Sequence, residues 1–179
     1  GRFCGIVCCM DIVCESCGRG FVRRGARGRV PRFCGQTCRK RASRAVKAPF
    51  AASERVWVRA DGKRPIMVDG SPASSTDSGT WDSFGAVQSG AGDGFGVMLG
   101  SGLGCYDFDD CFENGVLKGA IREFITAIPE PIIFVERSVS GRGLHVFVEA
   151  GERRGFRRGR VEFYSRARFI RTTLSEFAL

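Results

Sequence analysis

Residues 102–111, Gly-Leu-Gly-Cys-Tyr-Asp-Phe-Asp-Asp-Cys, constrain the fold more than any other stretch of this 179-residue chain. Their aromatic and small apolar residues read as a β-strand, yet the stretch carries Asp107, Asp109 and Asp110. Aspartate is depleted in strands and costly to bury unpaired. Side chains two apart in a strand share a face, so Asp107 and Asp109 point one way while Tyr106 and Phe108 point the other. Neighbouring carboxylates repel unless positive charge lies between them. The strand therefore needs one face in a core and one that tolerates charge. Asp110 falls out of the alternation, so it is not counted as a ligand.

Other chemistry-bearing residues share this pattern. The chain has one histidine, His145. Leu144, Val146 and Val148 alternate with His145, Phe147 and Glu149, which predicts an aliphatic core face and an open face carrying His145. Just before it, Ser140-Gly141-Arg142-Gly143 forms a glycine-rich turn of the kind that brings backbone N–H groups to phosphate oxygens. Glu162 alternates with Val161 and Phe163 and adds a third carboxylate opposite an apolar pair. Hard divalent cations such as Mg²⁺ or Mn²⁺ prefer carboxylate oxygens, and paired ions about 3.5–4 Å apart serve reactions at phosphorus. An Asp-x-Asp, a lone histidine or a Ser-Gly-x-Gly is by itself commonly structural. The expectation of a site rests on all three lying on matching strand faces.

The remaining elements follow from periodicity. Strands are expected over Val56–Ala60, Phe95–Leu99, Leu103–Asp107, Ile132–Glu136, Leu144–Glu149, Arg160–Tyr164 and Arg168–Thr172. A tight Gly-Ser-Gly turn is expected to join the second and third of these. A helix is expected near Trp81, and another over Leu117–Ile128, with Asn114 capping its start and Pro129 closing its end. The polar stretch 61–65 reads as an exposed loop. The fold class is α+β, with helices packed on one antiparallel or mixed sheet.

Charge divides the chain. Residues 1–48 hold 12 Lys/Arg against Asp11 and Glu15, a net +10, whereas residues 49–179 hold 16 basic against 17 acidic residues. The basic quarter has a polyanion as its natural partner, though a solvated, solubilising arm would look the same. It also contains seven of the nine cysteines. Cys14-x2-Cys17 and Cys34-x3-Cys38 are two close pairs separated by 16 residues. Each pair lets two thiolates reach one ion from one turn, which predicts a Cys4 Zn²⁺ site. A segment below about 50 residues generally needs such a staple. Cys4, Cys8 and Cys9 are expected to be spare. Arg23, Arg24, Arg27, Arg29, Arg32 and Arg39-Lys40-Arg41 would surround the module with charge suited to phosphate. The domain boundary falls within residues 45–53, giving a zinc module over 1–48 and a second domain over 49–179.

Several classes are disfavoured. No Gly-x4-Gly-Lys-Ser/Thr loop and no Gly-x-Gly-x-x-Gly after a strand is present. No apolar run approaches the roughly 18–20 residues that span a membrane. With no secretory signal evident and no initiating Met, a cytoplasmic fragment or processed form without membrane partners is expected.

Taken in order, Tyr-Asp-Phe-Asp at 106–109, Ser-Val-Ser-Gly-Arg-Gly-Leu-His at 138–145 and Val-Glu-Phe-Tyr at 161–164, then Arg-Phe-Ile-Arg-Thr at 168–172, resemble the three motifs of the archaeo-eukaryotic primase superfamily. The pattern is most similar to the bifunctional primase/polymerase domain of actinobacterial phages. Gly-Lys-Arg-Pro at 62–65, Ser-Thr-Asp…Thr-Trp at 75–81 and Gly-Asp-Gly-Phe-Gly-Val-Met-Leu-Gly at 92–100 add to the likeness, which covers about residues 50–173. The cysteine segment resembles the small zinc module that precedes such domains. Two positions depart from the pattern: Val139 stands where proline is common, and Asp110 where histidine or another residue is usual.

The resemblance implies an RRM-like catalytic core and two-metal nucleotidyl transfer on a single-stranded DNA template. Asp107, Asp109 and Glu162 would hold Mg²⁺ or Mn²⁺, and His145 would join them in the catalytic set. Ser140, Gly141, Arg142, Gly143 and His145 would bind the phosphates of an incoming NTP or dNTP. Lys63 and Arg64 are candidate nucleotide or template contacts. A replicative helicase is a candidate partner, and the bacterial host cytoplasm is the implied location. Two rival expectations remain: a metal-dependent nuclease using the same carboxylates, and a non-catalytic DNA-binding replication protein.

Overall fold

A computed structural model of the chain describes residues 11–14, 19–22, 30–44, 48–51 and 53–179. It comprises two compact units, residues 1–46 and 47–179. In the first, β1 (Asp11–Val13) and β2 (Gly20–Val22) form an antiparallel hairpin with Ile12 opposite Phe21, and a helix α1 (Gln36–Arg44) follows.

The second unit is mixed α+β, with many strands and few helices. In chain order it contains β3 (Trp57–Asp61), β4 (Arg64–Ile66), a 3-10 turn at Ser78–Thr80, α2 (Phe84–Val87) and β5 (Gly94–Met98). These are followed by β6 (Leu103–Phe108), β7 (Phe112–Glu113), β8 (Val116–Leu117) and α3 (Gly119–Thr126). The last strands are β9 (Ile132–Arg137), β10 (Leu144–Glu149), β11 (Phe156–Arg158), β12 (Val161–Tyr164) and β13 (Phe169–Thr172).

Two main sheets and the small β7–β8 hairpin result, not the single sheet expected. One main sheet has five strands in the order β11-β12-β6-β10-β9, and the other has four in the order β13-β5-β3-β4; all their ladders are antiparallel. β6, the aspartate strand, is the centre of the larger sheet. Its Tyr106 and Phe108 join Leu144, Val146, Val161, Phe163 and Ile125 of α3 in one core. On the opposite face, Leu103, Cys105, Phe134 and Phe147 pack with Trp57, Val97 and Ile170 of the smaller sheet in a second core. The face expected to be open is therefore an inter-sheet layer, and Phe147 on it is fully buried. Periodicity reports that a face is apolar, not what covers it.

Three local expectations change for identifiable reasons. β5 and β6 do not pair with each other, although Ser101 and Gly102, both at positive φ, make a tight turn closed by reciprocal Gly100–Leu103 bonds. The chain uses the turn to pass from one sheet to the other. Asn114 does not cap the helix, because Asn114 and Gly115, at φ +51° and +80°, form the two-residue turn joining β7 to β8. Asn-Gly is the strongest short hairpin signal, and it outcompetes capping here. α3 instead starts after Lys118 with no side-chain cap. Finally, the stretch 61–65 is not an open loop but the β3–β4 hairpin turning at Gly62, φ +58°.

Candidate active site

The pairing register decides the site. Asp107 on β6 lies directly opposite His145 on β10 and opposite Glu162 on β12. His145 in turn faces Glu136 on β9, and Glu162 faces Arg157 on β11. Five strands thus place Arg157, Glu162, Asp107, His145 and Glu136 in one transverse row, on the face that also carries Cys105 and Phe147.

Asp107 keeps about a quarter of its side chain exposed, 26%, while His145 keeps 10% and Glu162 11%. Burial raises the Asp107 carboxyl above its ordinary range; the charges of Asp109 and Glu162 raise it further, against opposing pull from His145 and Arg168. His145 Nε2 lies 3.8 Å from Asp107 Oδ1, while Nδ1 is 2.8 Å from Glu136 Oε1. Glu162 Oε1 receives Arg157 Nε at 3.0 Å, and its Oε2 receives the Tyr164 hydroxyl at 2.6 Å with Arg168 at 3.7 Å. That hydrogen bond to Glu162 raises the Tyr164 phenol above its usual value.

Asp109 lies beyond the strand end and is exposed, with its backbone N–H bonded to the Arg160 carbonyl at 2.8 Å. Asp110 has φ +52° and its carboxylate pairs with Arg160. The break in alternation is therefore a left-handed residue that turns the chain out of the strand.

The Ser140–Gly143 turn joins β9 to β10 at the same end of the sheet as Asp109. Ser138 Oγ accepts from the Gly143 N–H at 3.1 Å, Ser140 Oγ accepts from the Arg142 N–H at 3.3 Å, and the two hydroxyls are 3.1 Å apart. The Gly141 N–H donates to the Ser138 carbonyl at 2.8 Å. Three N–H groups of the turn are thus already engaged, and its exposed groups include the Ser140 and Arg142 side chains. Gly143 is needed for packing: a Cβ there would stand 2.4 Å from the Phe108 carbonyl oxygen. Lys63 and Arg64 lie on the β3–β4 hairpin, where Arg64 pairs with Asp61 at 3.1 Å.

Sequence reasoning overlooked Glu136, Arg157, Tyr164, Arg168 and Thr172. Glu136 had a usable signal, since it shares strand parity with Phe134 and ends an otherwise apolar strand. Tyr164 had one too, two residues from Glu162 on the same strand, whereas Arg157, Arg168 and Thr172 converge only through the fold.

In the first unit, Cys14, Cys34 and Cys38 place their sulfur atoms within 4.8 Å of one another. Cys14 follows β1, and its N–H donates to the Arg19 carbonyl at 3.0 Å. Cys38 lies in α1, its sulfur 3.5 Å from that of Cys34, and the Cys34 N–H donates to Cys14 Sγ at 3.4 Å. Tetrahedral zinc with Zn–S near 2.3 Å sets its sulfurs about 3.8 Å apart, so the three cysteines can hold a metal ion and suit zinc. The fourth expected ligand, Cys17, lies outside the described residues, as do Cys4, Cys8, Cys9, Arg23, Arg24, Arg27 and Arg29.

No protein-family model matches the sequence, and no curated protein matches it either. Among the described residues, the cysteines are the one group of three ligand-type side chains that close to within 4.8 Å. The carboxylates of Asp107, Asp109 and Glu162 are more open, and Glu162 is engaged by Arg157 and Tyr164. Their donors are all oxygen, the ligand type that hard divalent cations prefer. No helix among the described residues is long and apolar enough to cross a membrane.

Proposed function

We propose that residues 47–179 form a primase/polymerase catalytic domain that adds nucleotides on a single-stranded DNA template, preceded by a zinc-binding basic module. One observation carries the reading: register alignment sets Glu162, Asp107 and His145, one from each of the three motifs, side by side on one face. Strand order supports it as well. β6, α3, β9, β10 and β12 run in sequence, and the sheet order β12-β6-β10-β9 is the one an RRM-like unit would have; between β10 and β12 the chain forms the edge strand β11 in place of a second helix.

Asp107, Asp109 and Glu162 would hold Mg²⁺ or Mn²⁺, which when bound would supply charge stabilisation at the reacting phosphate. The chain's own groups do the positioning. His145 Nε2 faces the space over Asp107, and Arg142 with Ser140 sits at the mouth of the same end, where the phosphates of a nucleoside triphosphate can be oriented. Arg157 and Arg168 hold Glu162 in the row. The exposed Arg39 and Lys40 of α1 follow the cysteine cluster and suit phosphate contact by the zinc module.

The test is primer synthesis on single-stranded DNA with labelled ribo- and deoxynucleotides and either Mg²⁺ or Mn²⁺. Wild type should give product, and Asp107→Ala with Asp109→Ala should give at least about 10²-fold less. Equal product from the double variant would refute the assignment of the carboxylates. Loss of labelled DNA without incorporation would identify a nuclease instead.

A further inference from the structure

We propose that Glu136 is a positioning residue that commits the Nδ1 proton of His145 to itself and so makes Nε2 the ring atom presented over Asp107. Glu136 is fully buried, at 0% exposure, in the row position next to His145. Its Oε2 accepts from Thr172 Oγ1 at 2.6 Å, Leu174 N at 2.8 Å, Thr173 N at 3.0 Å and Thr173 Oγ1 at 3.2 Å. Backbone N–H groups can only donate, so two of these four contacts require an acceptor at that position. The carboxylate is therefore anchored by β13 and the residues after it, independently of the histidine. Oε1 has the imidazole as its hydrogen-bond partner, at 2.8 Å from Nδ1.

A carboxylate serving only to tie β13 to β9 would not need Oε1 aimed at a ring in the next strand. Here the orientation has a consequence. An anionic acceptor at Nδ1 selects the tautomer with the proton on that nitrogen. Nε2 then faces Asp107 Oδ1, 3.8 Å away, as an acceptor when the ring is neutral and as a second donor when it is charged. That Nε2 meets a nucleotide phosphate rests on the polymerase reading; the tautomer itself does not.

The substitution Glu136→Gln discriminates, because it keeps the shape and changes the donor pattern. The N–H groups of Thr173 and Leu174 demand the amide oxygen, which turns the amide NH2 toward His145. Nδ1 must then accept, and the proton moves to Nε2.

His145 is the one histidine of the 179-residue chain, so the ring ¹⁵N resonances of that chain need no assignment. At a pH where the ring is neutral, wild type should show the Nδ1–H pattern and Glu136→Gln the Nε2–H pattern. Nucleotide incorporation by the variant should fall roughly 10- to 100-fold, as for loss of an orienting partner. An Nε2–H pattern in wild type overturns the proposal without any variant, so misfolding of Glu136→Gln would not shelter it. An unchanged pattern in a folded variant, or a changed pattern with undiminished incorporation, overturns it equally. If wild type makes no product, the polymerase reading fails and the ring spectrum alone decides the role of Glu136.

Discussion

Replacing Gly143 by alanine tests whether the glycine-rich turn serves contact between strands or contact with a ligand. The added Cβ would meet the Phe108 carbonyl oxygen at 2.4 Å and Ser138 Oγ at 3.1 Å. An ordinary carbon–oxygen contact is about 3.3 Å or more, so β10 and β6 must separate by roughly 0.9 Å at that point. The clashing atom is backbone and cannot rotate away. Overpacking of this kind costs about 1–3 kcal/mol, which for a domain of this size lowers Tm by roughly 3–10 °C.

The opening falls next to the pairing of Leu144 with Phe108 and of His145 with Asp107. His145 should therefore move relative to Asp107, and displacement near 1 Å can cost about 10²-fold in rate. Gly141→Ala is the control. No atom lies within 4 Å of the place its Cβ would take, so its φ of +73° alone resists substitution, at about 1–2 kcal/mol. Thermal unfolding and primer synthesis should show both variants destabilised, with the larger activity loss in Gly143→Ala. A Gly143→Ala protein that melts and incorporates nucleotides like wild type would refute the close approach.

Two further outcomes are expected. Protein purified without chelator should carry about one zinc per chain, and Cys34→Ser should lower that content while unfolding the first unit; zinc well below one in wild type would remove the metal from the reading. Both tyrosines should resist ionisation at pH 10. Burial first, then the hydrogen bond to Glu130, pushes Tyr106 from 10.0 up to about 12, and Tyr164 is also raised. The sign is that of a neutral form favoured by folding. The stability Tyr106 contributes is complete below pH 10.0 and is lost as pH rises toward about 12. A phenolate absorbance step at the ordinary value in folded protein would contradict this.

What the sequence determined alone is local. Alternation put Asp107 on the face opposite Tyr106 and Phe108, since strand parity needs no knowledge of neighbours. The same rule put His145 with Phe147, and Glu162 opposite Val161 and Phe163. Spacing brought Cys34 and Cys38 within reach of one ion, because three intervening residues are too few to carry the two thiols far apart.

Register and layering were beyond that rule. Which residue stands across from Asp107 depends on pairing among strands far apart in sequence, and a slip of one residue would have sent His145 to the other face. The turn at Ser101-Gly102 looks the same whether it closes a hairpin or passes the chain between two sheets. Packing of the sheets' apolar faces decided that. Glu136 shows the difference most directly: its parity was visible in the sequence, but its role depends on Thr172, Thr173 and Leu174. Those residues reach it only because β13 belongs to the second sheet.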